Sequence, residues 1–465
     1  MAQLDVLICG AGIAGPTLAL LLSRLGPKCN ITVLERATEV RATGQQVDLR
    51  RFGLTIMERL GLLDDLRDIC VDETGVAFVD ANNKVKAKFP VEVGKKTQSV
   101  SSEFEILRGK WAALLYEKTK DLPNVRYVFG NQVKNIEQRD NKACVHFEHE
   151  RPSEWYDLVV AADGQRSRTR QIAWTRDNIE PPLPFKPLDC YIGLYSLPIV
   201  DSDVRTTKTG MARIYHAPGR RCILTRPDNR GKKMCSVNLM IVIPPSETSS
   251  SAGNSEPDPG DESVQQSNRR RLEAAVKDYA NVPAQKALFR DLFKDVGWEV
   301  DRLLKGLETS EDFYLQDLSQ VKLKPDTEPP HLAWSRGRVV CLGDAGYCPT
   351  AMTGMGTTLA IVGAYVLAGE LAKGLASTNA TDKGVLTALA KYEEVFKSYV
   401  DSGQKLAPGV PKVANPETVW GVWVLRSIVS FVSKTGLASV FGMLAASLGT
   451  ETEKFPDYEE LGLMS

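Results

Sequence analysis

The chain has 465 residues, 43% hydrophobic and 25% charged, which is enough apolar material for a substantial core and excludes disorder of the whole. Its 58 basic and 58 acidic residues balance, so no bulk charge draws it to nucleic acid, and none is expected as a partner. Nine cysteines without a CxxC pair and only four histidines suggest neither a metal site nor a disulfide framework, and free thiols fit a reducing, cytoplasmic setting.

Leu4 to Gly10 (LDVLICG) is an apolar run of strand length that ends in glycine, the pattern of a parallel strand buried on both faces. Ile13 to Leu25 continues at helical spacing, and Ile31 to Glu35 (ITVLE) is a second strand. A strand–helix–strand unit of about 30 residues is a setting in which nucleotides bind. The uncharged run from Val6 to Ser23 has no basic stretch before it and carries Gly10, Gly12, Gly15 and Pro16, so it reads as strand plus helix start. Leu54 to Leu66 and Leu107 to Leu122 have helical periodicity, whereas Asp157 to Ala162 (DLVVAA) and Arg338 to Leu342 (RVVCL) read as buried strands.

Residues 178–332 change to short β-rich runs such as Cys222–Leu224 and Ser236–Ile243, which suggests a second, largely antiparallel layer. Within it, Pro244 to Asn268 carries five acidic and no basic residues and reads as a disordered surface insertion. Ala345 to Gly369 is a loop entering an apolar helix. Val419 to Leu448 is cut by Arg426 and Lys434 into pieces too short to span a bilayer; it reads as a packed helical pair including Trp420 and Trp423, with peripheral membrane contact as the alternative.

Three turns carry nucleotide-site signals. The first is Gly10-Ala-Gly12-Ile13-Ala14-Gly15, in which the glycines allow a tight turn, close approach of a pyrophosphate and tight helix packing. Glu35, with Arg36 beside it, follows about 20 residues on, where a carboxylate accepts ribose hydroxyls. The second signal is Asp163-Gly164 after DLVVAA. The third is Gly343-Asp344 after RVVCL, followed by Gly354-Met355-Gly356 at a helix start. An acid at the C-terminal end of a parallel strand points into the crevice where such sheets bind ligands, although a lone Asp-Gly is also an ordinary turn.

With these motifs in this order, the chain resembles the single-component, class A FAD-dependent monooxygenases of p-hydroxybenzoate hydroxylase type. Within that family it is most similar to tetracycline-inactivating and polyketide-tailoring hydroxylases. The resemblance implies an α/β fold: a doubly wound, Rossmann-like FAD domain (1–72, 104–177, 335–400) interlaced with a β-sheet substrate domain (73–103, 178–334), then C-terminal helices (401–465). It also implies that Gly10–Gly15, Glu35, Arg108, Asp163-Gly164, Gly343-Asp344 and Gly354–Gly356 hold FAD. NADPH or NADH would bind transiently, with Arg166, Arg168 and Arg170 as phosphate partners or plain solvated charge. O₂ would be activated as a flavin C4a-hydroperoxide to hydroxylate or epoxidise an aromatic or polyketide-like molecule, so no protein nucleophile is needed.

Two departures matter. GDAGY replaces the frequent GDAAH, so Tyr347 is assigned no catalytic role, and Pro349 sits one place early. Gln46 and Arg50 are either flavin and substrate contacts or the polar face of a turn. Tyr195, Arg213 and Tyr215 are candidates to line the substrate cavity, with strand packing as the alternative. A dehydrogenase of the same fold, or a non-catalytic flavin-binding redox sensor, stays open from sequence.

Overall fold

The computed structural model describes residues 3–40, 44–71, 73–91, 104–175, 183–200, 203, 210–228, 233–244, 263–326, 329, 331–377, 381–407, 409–435 and 456–463. At its centre, β1 (Leu4–Cys9) lies between β2 (Cys29–Glu35) and β11 (Leu158–Ala161), all parallel. Beyond them lie β7 (Val125–Phe129) and β18 (Val339–Cys341), with β17 (Ser335–Arg336) as an antiparallel edge. Leu4, Val6 and Ile8 bury on one face of β1, Leu7 and Cys9 on the other, which explains why the strand is apolar throughout except at Asp5. Burying each such aliphatic side chain contributes about 1.5–3 kcal/mol. The helices Ala14–Ser23 and Gly356–Ser377 cover the first face. A small sheet of β8 (Val133–Arg139), β9 (Lys142–Phe147) and β10 (Glu154–Tyr156) covers the second.

A second sheet has the order β16 (Tyr314–Val321), β12 (Phe185–Pro198), β15 (Met234–Val242), β14 (Arg221–Asp228), β13 (Ala212–Ala217), β4 (Gly75–Val79), β5 (Val85–Pro90). Every pairing is antiparallel except β13 with β4, so residues 75–90 join the sheet from far upstream. On one face Tyr191, Tyr195, Leu197, Ile223, Val237 and Leu239 pack under the helices Val264–Lys277, Val282–Phe293 and Val300–Thr309. On the other, Cys190, Ile192, Leu194, Leu318 and Met240 meet Met352, which precedes the long helix of the first layer. The second face therefore looks toward the six-stranded sheet.

Several expectations change. The middle region carries a layer of three helices that the β-rich reading missed, because Val300, Leu303, Leu304 and Leu307 make an apolar stripe only at helical spacing. The end of the expected disordered insertion is ordered: Ser263 and Gln266 form a capping box that starts the first of these helices, while residues 245–262 lie outside the described residues. Leu54 to Leu66 is two helices, Phe52–Arg59 and Leu63–Ile69, broken at Gly61, whose φ is +71°. In the C-terminal helix Val419–Thr435, Val422 is buried, but Trp420 and Trp423 are 72% and 63% exposed, so neither is the packing residue expected. Residues 436–455, which hold the rest of the expected helical pair, lie outside the described residues.

Candidate active site

Strand order puts the three motif turns side by side at the C-terminal edge of β2, β1, β11 and β18. Gly10 sits at φ +116°, and a Cβ there would lie 2.4 Å from the Ala162 carbonyl oxygen, so only glycine lets the first turn touch the second. At Gly15 the approach is closer still: the Gly10 carbonyl oxygen is 2.0 Å from an added Cβ, which seats the helix Ala14–Ser23 on the turn. Gly343 meets the Ala14 side chain across the first and third turns. Glu35 accepts from the backbone N–H of Ala11 at 3.0 Å and of Ala37 at 2.9 Å, so its carboxylate braces the glycine loop while keeping lone pairs for a further donor. Ile13 is buried at the start of the helix, and Arg36 is exposed beside Glu35.

Asp163 is engaged mainly with its own turn. It accepts from the Ser167 hydroxyl and from the N–H and hydroxyl of Thr169 at 3.0 Å each, which fixes the N-terminus of the helix Arg168–Trp174. Gly164 follows at φ +89°. Arg170, expected near cofactor phosphates, is buried and donates to Ala345 and Gln165 carbonyls; burial holds its pKa below the ordinary arginine value. Arg166 and Arg168 stay at the surface, paired with Asp317 at 2.7 Å and Glu148 at 2.8 Å.

The arginine at the head of the helix Arg108–Thr119 lies opposite the glycine loop. Its Nη2 is 3.8 Å from where a Gly12 Cβ would sit, so the guanidinium lies within van der Waals range of the loop. The Arg108 backbone N–H donates to Gln45 at 2.9 Å, which ties this arginine to a two-stranded ribbon of β3 (Gln46–Asp48) and β6 (Glu105–Leu107). Val47 and Ile106 on that ribbon pack into the core, so Gln46, Asp48 and Glu105 face the other way, toward the seven-stranded sheet. Gln45 reaches Gln316 of β16 at 2.9 Å. Arg50 pairs with Asp48 at 2.7 Å, and both lie against Gly354, whose φ is +62°. Met355 is half-buried, and the Asp344 carboxylate is 3.7 Å from a Cβ built on Gly356, at the start of the long helix.

The FAD binding domain family pattern matches residues 3–251. Flavin-dependent monooxygenase eupH of Phoma sp is 33% identical over 474 residues, spanning 99% of each chain. The chain belongs to the class A FAD-dependent monooxygenases. Among solved structures of this monooxygenase fold, tetracycline destructase Tet(55) superposes with TM-score 0.68 at 25% identity over 98% of this chain and 100% of that one. Klebsiella pneumoniae HpxO complexed with FAD and uric acid superposes with TM-score 0.63 at 17% identity over 96% and 97%.

The residues of this monooxygenase fit FAD. The glycine loop at a helix N-terminus, with the Arg108 guanidinium beside Gly12, suits a pyrophosphate. Gln46 has both amide atoms buried without a hydrogen bond on the ribbon face, which is what a polar ring edge would complete. The substrate candidates on the second sheet do not join this site. Tyr195 donates to Leu303 at 2.8 Å and Tyr215 to Val296 at 2.8 Å. Arg213, fully buried, pairs with Asp203 and with Glu299, the latter at 2.9 Å. All three point into the helical layer, because odd-numbered residues of β12 and β13 face the helices. Tyr347 is likewise a packing residue, its hydroxyl 3.0 Å from that of Tyr392 beside Trp334 and Phe396.

Residues not singled out from sequence complete the cleft. Gln404 donates to the carbonyls of Val321 at 2.9 Å, Tyr347 at 3.0 Å and Cys348 at 3.3 Å, and Gln320 donates to Pro349 at 3.2 Å. Arg226 of β14 lies 2.9 Å from Glu105 on the ribbon and 3.4 Å from Glu73. Nothing local announces these contacts; the Glu105–Arg226 pair joins residues 121 positions apart.

Proposed function

We propose that this monooxygenase uses NAD(P)H and O₂ to hydroxylate or epoxidise an aromatic or polyketide-like small molecule. FAD would lie along the C-terminal edge of the six-stranded sheet, its pyrophosphate against the glycine loop and Arg108, its ribose on Glu35 and its ribityl chain near Asp344. When bound, reduced FAD reacts with O₂ and supplies an electrophilic oxygen atom. The start of the helix Gly356–Ser377 offers unpaired N–H groups and a positive dipole end to the pyrimidine edge of the ring, which favours negative charge there by about 1 kcal/mol.

The observation that carries the reading is the pairing of opposed surfaces. The ribbon presents Gln46 and Asp48, and the facing sheet presents Ile192, Leu194 and Met240, with Met352 closing one side. An apolar wall against a few polar groups suits a flat, largely hydrophobic molecule bearing oxygen substituents. Tetracycline, named for the Tet(55) relative, is of that class. For the reduced nicotinamide cofactor, Arg166 and Arg168 are the available cations, since their exposed ion pairs are worth about 0–1 kcal/mol and exchange partners readily.

The test is direct. Purified protein should be yellow, and NADPH oxidation should accelerate on addition of the right phenolic or enolic compound, with label from ¹⁸O₂ appearing in the product. Stimulated flavin reduction with no ¹⁸O in the product would replace this reading with a dehydrogenase.

A further inference from the structure

A buried charge cluster closes the ribbon end of the cleft. Asp48 and Glu105 project from β3 and β6, and Arg50 follows β3. Glu73 precedes β4, and Arg226 comes from β14 of the facing sheet. The side chains of Glu73 and Glu105 are 2% and 3% exposed, whereas Asp48, Arg226 and Arg50, at 14%, 17% and 20%, keep part of their surface open. Arg226 grips Glu105 with two nitrogens, at 2.9 and 3.0 Å. Both Glu73 carboxyl oxygens lack a hydrogen bond, and Oε2 lies 3.4 Å from Arg226 Nε.

Three carboxyls face two guanidiniums, so a fully ionised cluster holds one excess negative charge away from water. Burial pushes both Glu73 and Glu105 upward, Glu105 to about 8, with Arg226 opposing and the neighbouring carboxylates adding. One proton shared by the Glu73–Glu105 pair removes the excess and leaves the second carboxylate ionised, a base stronger than an ordinary glutamate. Buried atoms without a hydrogen bond gather in this cluster and at Gln46 on the same ribbon face: Gln46 Oε1 and Nε2, Arg50 Nε, both Glu73 oxygens, Glu105 Oε2 and Arg226 Nε. Each orphan costs about 1–3 kcal/mol, a cost that a bound polar group removes.

We infer that Glu73, with Glu105 and Arg226, is the polar end of the substrate site and activates a phenolic or enolic hydroxyl. The substrate O–H bond breaks, its proton passes to the ionised carboxylate of the pair, and the oxyanion replaces that carboxylate as counter-ion to Arg226. Net charge is unchanged and no electrons move between molecules. The oxyanion enriches the ring or enol carbon that is to be oxygenated. This inference rests on the monooxygenase reading above.

Stimulated turnover of the holoenzyme, measured with a panel of mono- and dihydroxybenzenes and NADPH from pH 6 to 10, tests it. Glu73→Gln and Glu105→Gln should each lower phenol-stimulated NADPH oxidation at neutral pH by on the order of 10²-fold. The loss should shrink at high pH, where the phenol ionises in solution. A loss equal at every pH, or an unchanged profile, overturns the assignment. Should either variant lose its FAD, difference spectra of 4-nitrophenol on the wild-type holoenzyme read the same step: bound dye should show its ionised band at a pH where free dye is mostly neutral. A neutral bound spectrum, or no binding by any phenol of the panel, overturns it. A wild-type enzyme without FAD or NADPH oxidation would instead sink the proposed function itself.

Discussion

Arg170 donates from Nη1 to the carbonyl oxygen of Ala345 at 2.5 Å, and from Nη2 to that of Gln165 at 3.0 Å. One buried guanidinium thus ties the turn after β11 to the turn after β18. Arg170→Met should leave two carbonyls unpaired and destabilise the fold by about 2–4 kcal/mol. It should also weaken FAD by at least about tenfold, since 1.4 kcal/mol is a factor of ten and the two turns would no longer be fixed to each other. Flavin fluorescence titration of the apoprotein checks this; a lowered melting temperature with wild-type FAD affinity would show that the tie serves stability alone.

Gln404 holds the loop after β18 from behind. Its amide donates to three carbonyls of β16 and the Tyr347–Cys348 segment, and its own carbonyl accepts from Gln320 at 2.7 Å. Gln404→Leu keeps the approximate volume but removes the donor to the Val321 and Tyr347 carbonyls, costing about 2–3 kcal/mol; the Cys348 carbonyl keeps its bond from the Val321 N–H, and the Gln404 backbone carbonyl keeps Gln320. As a positioning residue it should act on coupling: stimulated NADPH oxidation should persist while more of it ends as hydrogen peroxide rather than product. The ratio of peroxide to oxygenated product is the measurement, and an unchanged ratio would confine Gln404 to stability.

The parts legible in sequence are those written in local pattern. β1, β2, β11 and β18 read as buried strands because both faces are covered, so apolar residues dominate them, with polar exceptions at Asp5, Asn30, Thr32 and Glu35. Gly10, Glu35, Asp163 and Asp344 read as turn residues because each directly follows or ends such a strand. What sequence left hidden depends on register between distant segments. Alternation along β12 separates Tyr191 and Tyr195 from Ile192 and Leu194 but does not say which set lies under helices. Recognising the stripe Val300, Leu303, Leu304, Leu307 as a helix would have supplied a cover for one face. Glu73, Glu105 and Arg226 come from three separate elements, and their charge balance exists only after folding.

The corrected orientation of Tyr195 and Tyr215 has a kinetic consequence. Each hydroxyl donates to a helix-layer carbonyl, Leu303 or Val296, and Tyr215 stacks on Trp298 with ring centroids 5.3 Å apart. Tyr195→Phe and Tyr215→Phe should each cost about 1 kcal/mol of stability through the unpaired carbonyl. Neither should change KM for the phenol that stimulates turnover. A tenfold rise in KM with normal stability would place these side chains at the substrate after all.

His216 makes stability depend on pH. Its ring stacks on Phe78 at 6.0 Å, and Arg426 donates to its backbone carbonyl at 2.8 Å. Burial, and then the charge of Arg426, lower its pKa from 6.5 to about 4. The folded state therefore keeps the ring neutral where the unfolded chain protonates it. This contribution is present in full above pH 6.5 and is lost as pH falls toward 4, at no more than about 1.4 kcal/mol per pH unit and about 3 kcal/mol in all. Glu105, raised from 4.5 to about 8, works in the opposite direction, its contribution fading as pH rises through that window. The two are separated by comparison with His216→Gln: wild type should lose about 1–2 kcal/mol more than the variant between pH 7 and pH 5 in urea denaturation. Parallel pH profiles for the two proteins would show that the imidazole titrates normally in the fold, with water reaching it between Phe78 and the C-terminal helix.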